Sequence, residues 1–340
     1  MFRFVTGCFM VATFCALSIA TVRASEVNVY SYRQPYLIEP MLEKFTDETG
    51  IKVNVLFAGK GLVDKMVQEG DSSPVDVLLT VDIGRLSDAV NQEVSQSFSS
   101  SVVNANIPSQ YRDPDGHWVG LTARARVVYA SIDRVAQDEI TYEELAGPKW
   151  AGRLCTRSGQ NAYNLALFAS LIAHHGEAET IEWLKGVKAN MARTPQGNDR
   201  GQVKGIFSGE CDISIGNTYY MAKMRTNDKE PEQKDWAASA KIIMPNADGR
   251  GTHMNLSGAV LAKHAPNQDN GIKLIEFLTE DIAQEMYAET NHEYPLKEGV
   301  AISDMVASFG DLNADTLDLI TIANNRVVAS EMVDLVGYDE

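Results

Sequence analysis

From residue 27 onward the chain alternates short β-prone runs with helical ones, and this alternation constrains the fold more than any other feature. Residues 27–32 read as a strand, 37–48 as a helix, 53–57 as a strand, 62–68 as a helix and 75–80 as an apolar strand. Strands that recur after a helix pair in parallel and carry helices on both sheet faces. After a loop-rich stretch over 98–116, a long β-prone segment covers 118–130 and is the candidate crossing into a second lobe.

A second α/β set follows. Thr141 and Glu144 have capping-box spacing, 153–156 reads as a strand and 162–174 as an apolar-faced helix. Helices over 181–191 and 203–207, a buried strand over 212–215, a helix over 219–224 and a charged loop over 227–234 continue the set. Runs 242–245 and 256–262 are strand-like candidates for returning the chain to the first lobe, and the remainder is mostly helical, ending over 317–336. No repeat, heptad array or low-complexity linker separates the sets, so short crossing strands should join them. Two lobes joined this way enclose a cleft, and ligands of open α/β sheets sit beyond the carboxyl ends of strands.

Residues 1–24 read as a cleavable export signal. Arg3 supplies the positive start, residues 4–20 carry no charge, and Val22-Arg23-Ala24 offers a small-residue cleavage site. No second apolar span follows, so stable membrane insertion is not expected. Removing residues 1–24 takes away Arg3 and Arg23 and no acid, leaving 28 basic residues against 46 acidic ones and a net charge of −18. Such acidity argues against a nucleic-acid partner. Of the four cysteines, Cys8 and Cys15 leave with the signal, so Cys155 and Cys211 are expected to form a disulfide in an oxidising compartment.

The cysteines share a spacing with two tyrosines. Tyr163 follows Cys155, and Tyr219 follows Cys211, by the same eight residues, and Tyr220 adds a third phenol. If a disulfide ties the two strands together, equal offsets should bring Tyr163 and Tyr219 to comparable heights over one sheet edge. Adjacent residues of a regular helix do not share a face, so the Tyr219-Tyr220 pair suggests an irregular strand-to-helix junction. Helix N-termini favour negative charge. A tyrosine keeps its proton to about pH 10, so a phenolate at neutral pH needs a highly charged cation beside it. Hard oxygen donors suit Fe(III), whereas zinc is poorly supported without CxxC or HExxH spacing. The competing reading is that a Tyr-Tyr pair simply packs half-buried.

Arg33 stands at the carboxyl end of the first strand, and Arg124 and Arg126 alternate on the crossing segment, so both point to one face. Guanidinium forks bind small oxyanions, although surface carboxylates are their commoner partners. The histidines are weak ligand candidates: His174 and His175 lie near a helix end, His117, His253 and His264 stand alone, and His292 is undecided.

With these residues in view, the chain resembles the bacterial periplasmic ferric-ion-binding proteins of the transferrin-like FbpA type. The resemblance rests on Asn28 through Tyr36, Arg157 through Asn164, Gly216-Asn217-Thr218-Tyr219-Tyr220 and Asn291 through Pro295. It implies a type II periplasmic binding protein fold, two α/β lobes around a cleft joined by two crossing strands. On that pattern 25–122 and 247–297 form the N-terminal lobe, and 123–246 and 298–340 the C-terminal lobe. It also implies Fe(III) bound by Tyr163, Tyr219 and Tyr220, with carbonate or bicarbonate as a synergistic anion near Arg33, Arg124 and Arg126. Many members place a histidine just after the first-strand arginine, but Gln34 and Pro35 stand here, which leaves the first-lobe ligand open. Tyr36 could fill that role. The implied partners are an inner-membrane ABC permease and its ATPase, and the implied location is the periplasm.

The sequence thus predicts a monomeric binder of ferric iron rather than an enzyme. One rival is a two-lobe binder of an oxyanion or organic cation, with the tyrosines as aromatic walls. The other is a secreted enzyme, for which no nucleophile–base motif such as GxSxG is present.

Overall fold

A computed structural model describes residues 25–340, so the expected export signal, with Cys8 and Cys15, lies outside the described residues. The first lobe is built from β1 (Glu26–Ser31), α1 (Pro35–Thr49), β2 (Lys52–Phe57), α2 (Leu62–Glu69), β3 (Val77–Thr80), α3 (Ile83–Asn91) and α4 (Ser101–Asn106). The alternation acts as the sequence predicts, because β1 pairs in parallel with both β2 and β3. The supposed loop over 98–116 hides α4, whose N-cap Ser100 accepts from the amides of Val102 and Val103.

The crossing strand β4 (Trp118–Ser131) is buried along its whole length. The second lobe follows with β5 (Leu154–Cys155), α5 (Ala162–His175), α6 (Glu177–Ala189), α7 (Asp199–Phe207), β6 (Ile213–Asn217), α8 (Thr218–Arg225), α9 (Glu232–Ala238) and β7 (Ala240–Ile243). Helix α9 begins inside the supposed charged loop. The chain ends with β8 (Met254–Leu261), α10 (Gln268–Thr279), α11 (Asp281–Met286), β9 (Tyr294–Pro295), α12 (Asp304–Ala307), α13 (Leu319–Asn324) and α14 (Arg326–Leu335).

One sheet runs through both lobes in the order β2-β1-β3-β8-β4-β6-β5, with β7 and β9 also pairing with β4. Strand β4 changes partners midway: Trp118 to Ala125 pairs with β8, whereas Arg126 to Ala130 pairs with β6. Of the two candidate return strands only β8 goes back, pairing with β3, while β7 stays against the second-lobe end of β4. Helix α13 packs against both α3 and α5. Arg326 beyond it reaches the buried Asp82 carboxylate at 3.5 Å, so the C-terminal segment touches both lobes.

Candidate metal centre

Strand β6 runs into α8 without a turn, which sets Tyr219 and Tyr220 in the first turn of a regular helix rather than at an irregular junction. Side chains tilt toward a helix N-terminus, so first-turn rings project past the helix end with no earlier turn to lie against. Both rings can therefore rise side by side, and their centroids stand 4.3 Å apart. Gly216 permits this ending. The Tyr129 ring crosses it so closely that a Cβ there would meet Cε2 at 2.1 Å, and the Tyr129 hydroxyl donates to the Asn217 carbonyl.

Tyr163 occupies the matching place on α5, behind the N-cap Asn161, whose side chain accepts from the Tyr163 amide at 3.1 Å. The Tyr219 hydroxyl donates to the Tyr163 oxygen at 3.4 Å, so the three phenols form one group. Cys155 and Cys211 are bonded, with Cα atoms 5.8 Å apart. The equal cysteine offsets are not the reason the phenols meet. In the parallel β5–β6 pair Cys155 lies beside Ser214, and Cys211 precedes the strand. Tyr163 is reached through the loop 156–161, whereas the chain passes from Ser214 directly along β6 to Tyr219.

The phenols open on a cleft of about 270 Å³ between the lobes. Arg33, Gln34, Tyr36 and Arg124 face it from the first-lobe side, and Asn198, Arg200 and Lys223 from the second. Arg33 is spent on a bidentate pair with buried Glu293, at 3.2 and 2.8 Å. Arg124 donates to the Val81 carbonyl, while its Nε lies 3.7 Å from Glu293 and has no hydrogen-bond partner. Burial opposes ionisation of Glu293, yet Arg33 and Arg124 outweigh it and hold the carboxyl below the usual range. Tyr36 is 59% exposed at the rim, with the Lys223 ammonium 5.5 Å from its ring.

Arg126 departs from expectation, since it does not line the cleft. Alternation does put Arg124 and Arg126 on one face, but β4 passes from one lobe to the other between them. Arg126 is consumed by Asp199 at 2.8 Å, Asn217 at 3.0 Å and Asn164 at 2.6 Å. No histidine lines the cleft either. Among the described residues, no group of three or more His, Cys, Asp or Glu side chains could hold a metal. Sequence reasoning missed Arg200, Lys223 and Asn198, which belong to no motif that spacing reveals, and gave no role to Glu293, although it lies within the Asn291–Pro295 segment.

Burial keeps Tyr219 and Tyr220 protonated, so a cation held by their oxygens must displace protons. Burial pushes the Tyr219 phenol well above its ordinary value, and the neighbouring Tyr163 and Tyr220 push the same way. Burial, with Asp199 and Tyr163 adding to it, raises Tyr220 to about 12. Burial also brings the Lys223 ammonium down to about 8, with Glu293 opposing and Arg33 and Arg200 assisting. At neutral pH Tyr219 and Tyr220 therefore keep their protons until a strongly charged cation removes them.

A family model described as bacterial extracellular solute-binding protein matches residues 55–308. The chain belongs to that family. Among the relatives of this solute-binding protein, iron uptake protein A1 of Synechocystis is 43% identical over 316 residues, spanning 92% of this chain and 87% of the relative. The apo ferric ion-binding protein A of Pasteurella haemolytica superposes with a TM-score of 0.89 at 52% identity, covering 93% and 99% of the two chains. A Trichodesmium IdiA (FutA) protein, solved in complex with iron and citrate, gives a TM-score of 0.88 at 38% identity, covering 92% and 100%. The solute-binding protein thus has the two-lobe α/β architecture of type II periplasmic binding proteins, as the family resemblance implies.

Proposed function

We propose that the protein captures ferric iron in the periplasm and delivers it, as a monomer and without turnover, to an inner-membrane ABC permease and its ATPase. Tyr163, Tyr219 and Tyr220 supply phenolates to the ion. Carbonate or bicarbonate occupies the first-lobe side near Arg124 and Arg33, whose guanidinium groups line the cleft there. The observation that carries this reading is the convergence of three phenol oxygens, with Tyr219 and Tyr163 3.4 Å apart, in a cleft with no rival cluster of metal ligands among the described residues. Iron-binding relatives of the same family support it. Tyr36 remains at the rim and is the candidate for any further ligand from the first lobe.

Titration of the apo-protein with ferric citrate tests the reading. Binding should produce a visible phenolate-to-iron absorption and raise the unfolding temperature. A colourless protein with unchanged stability would remove the proposal.

A second reading draws on the cationic lining of Arg124, Arg200 and Lys223. It makes the cleft a site for an oxyanion alone, with the tyrosines as walls. Under that reading Tyr219→Phe leaves ligand binding intact, and iron neither colours nor stabilises the protein.

A further inference from the structure

Behind the three phenols lies a buried ion pair that does not face the cleft. Asp199, the first residue of α7, is fully buried. Its carboxylate accepts from Arg126 Nη1 at 2.8 Å, from Arg157 Nη1 at 3.0 Å and from the backbone N–H of Asn217 at 2.9 Å. Arg126 in turn donates to the side-chain oxygens of Asn217 and Asn164. Each partner adjoins a phenol. Asn164 follows Tyr163 on α5, and Asn217 closes β6 just before Tyr219 and Tyr220. The Arg157 guanidinium stands 5.6 Å from the centre of the Tyr163 ring.

We propose that Asp199, with Arg126 as its counter-ion, is a positioning residue that presents Tyr163, Tyr219 and Tyr220 to the cargo as one rigid set. The inference rests on the tyrosine site proposed above. A site made of phenols on two separate helices works only if the starts of α5 and α8 hold a fixed separation and orientation. The carboxylate bonds Arg126, Arg157 and the Asn217 amide, and the Arg126 guanidinium bonds Asp199, Asn217 and Asn164, so these planar groups fix angle as well as distance between the two helix starts. Stability is a weak account of the pair, because well-packed apolar residues of similar volume often replace a buried ion pair without loss. Arg126, expected to hold an anion in the cleft, thereby acts on the phenols from behind.

The test compares wild type with Asp199→Asn and with the double variant Arg126→Met/Asp199→Leu. Thermal unfolding of each apo form is recorded first, then ferric affinity by competition with citrate, then the visible spectrum. Asp199→Asn keeps the shape and removes the charge. The double variant leaves neither member of the central pair charged and decides the matter should Asp199→Asn fail to fold. A folded variant should bind iron about 10–100-fold more weakly, as changes behind a metal's direct ligands typically do, with a displaced phenolate-to-iron band. A folded variant with wild-type affinity and band overturns the proposal and leaves Asp199 a purely structural residue. Failure of wild type to colour with iron is a separate result that removes the tyrosine site itself.

Discussion

The two lobes bring different chemistry to the cleft: the second sets phenols beside Arg200 and Lys223, whereas the first brings arginines with Glu293. The second lobe offers three phenols at the starts of α5 and α8, tied by the Cys155–Cys211 disulfide and the Arg126–Asp199 pair. The first lobe offers Arg33, paired with Glu293, and Arg124, whose Nε lies 3.7 Å from the same carboxylate. Oxygen donors able to bind a cation thus sit on the second lobe, beside its own Arg200 and Lys223, whereas the first lobe presents arginines held by a carboxylate. Phenols that are neutral when empty cost little to hold together, whereas two unpaired arginines side by side would repel. The first-lobe arginines therefore need a carboxylate in the cleft wall, whereas the protonated phenols need none, and the second lobe's Asp199 pairs with Arg126 and Arg157 behind them.

The sharpest way to break this contrast is to remove phenols from each side. Tyr219→Phe/Tyr220→Phe should abolish both the visible band and measurable ferric binding, while Tyr36→Phe should change affinity less than about tenfold. Changes behind the direct ligands already cost about 10–100-fold, and the double variant removes two ligands outright. Equal losses from the two lobes would mean that the metal is shared between them.

Acidification should act through the second lobe as well. Tyr219 and Tyr220 are raised above their ordinary value, the latter to about 12, so both are protonated in the empty cleft at neutral pH. Each must release its proton to bind iron. Ferric affinity should then fall on acidification by at least about 100-fold per pH unit, measured against a chelator whose own titration is known. A slope near zero would mean that iron does not bind through these oxygens.

The sequence reveals the second lobe better than the first. Tyr219-Tyr220 after a buried strand, the cysteine pair and the α5 start are contiguous features, so their chemistry shows in a short window. Glu293 does not show, because Arg33, the partner that gives it meaning, lies 260 residues away. Arg126 fails for a subtler reason. Alternation fixes its face, but not the change of partner strand that carries it from one lobe to the next between Ala125 and Arg126. The Thr141–Glu144 capping signal is real, with the Glu144 amide bonded to Thr141 Oγ1 at 3.1 Å, but it opens only a short 3-10 turn.

The disulfide sharpens the contrast in stability. It joins residues 56 apart, and closing a loop of that length in the unfolded chain contributes about 4 kcal/mol in the chain-entropy model. Cys155→Ala/Cys211→Ala should lower the urea midpoint accordingly and weaken iron binding, since β5 leads into the loop that carries Tyr163. Loss of stability with unchanged affinity would show that the Arg126–Asp199 pair alone holds the phenols.

The smallest expected effect concerns Gly216. A methyl group there meets the Tyr129 ring at a distance no side chain tolerates, and that ring is fully buried. Overpacking of this kind costs about 1–3 kcal/mol, so Gly216→Ala should lower the unfolding temperature modestly. Its value lies in what else moves. Tyr129 also bonds the Asn217 carbonyl at the entrance to α8, so a displaced ring should tilt that helix and shift the phenolate-to-iron band. Gly59 on the first lobe is the control, because nothing lies within 4 Å of a Cβ added there. Gly59→Ala should leave band and stability unchanged. A Gly216→Ala protein that loses stability but keeps its band would mean that α8 is held from its other contacts, not from Tyr129.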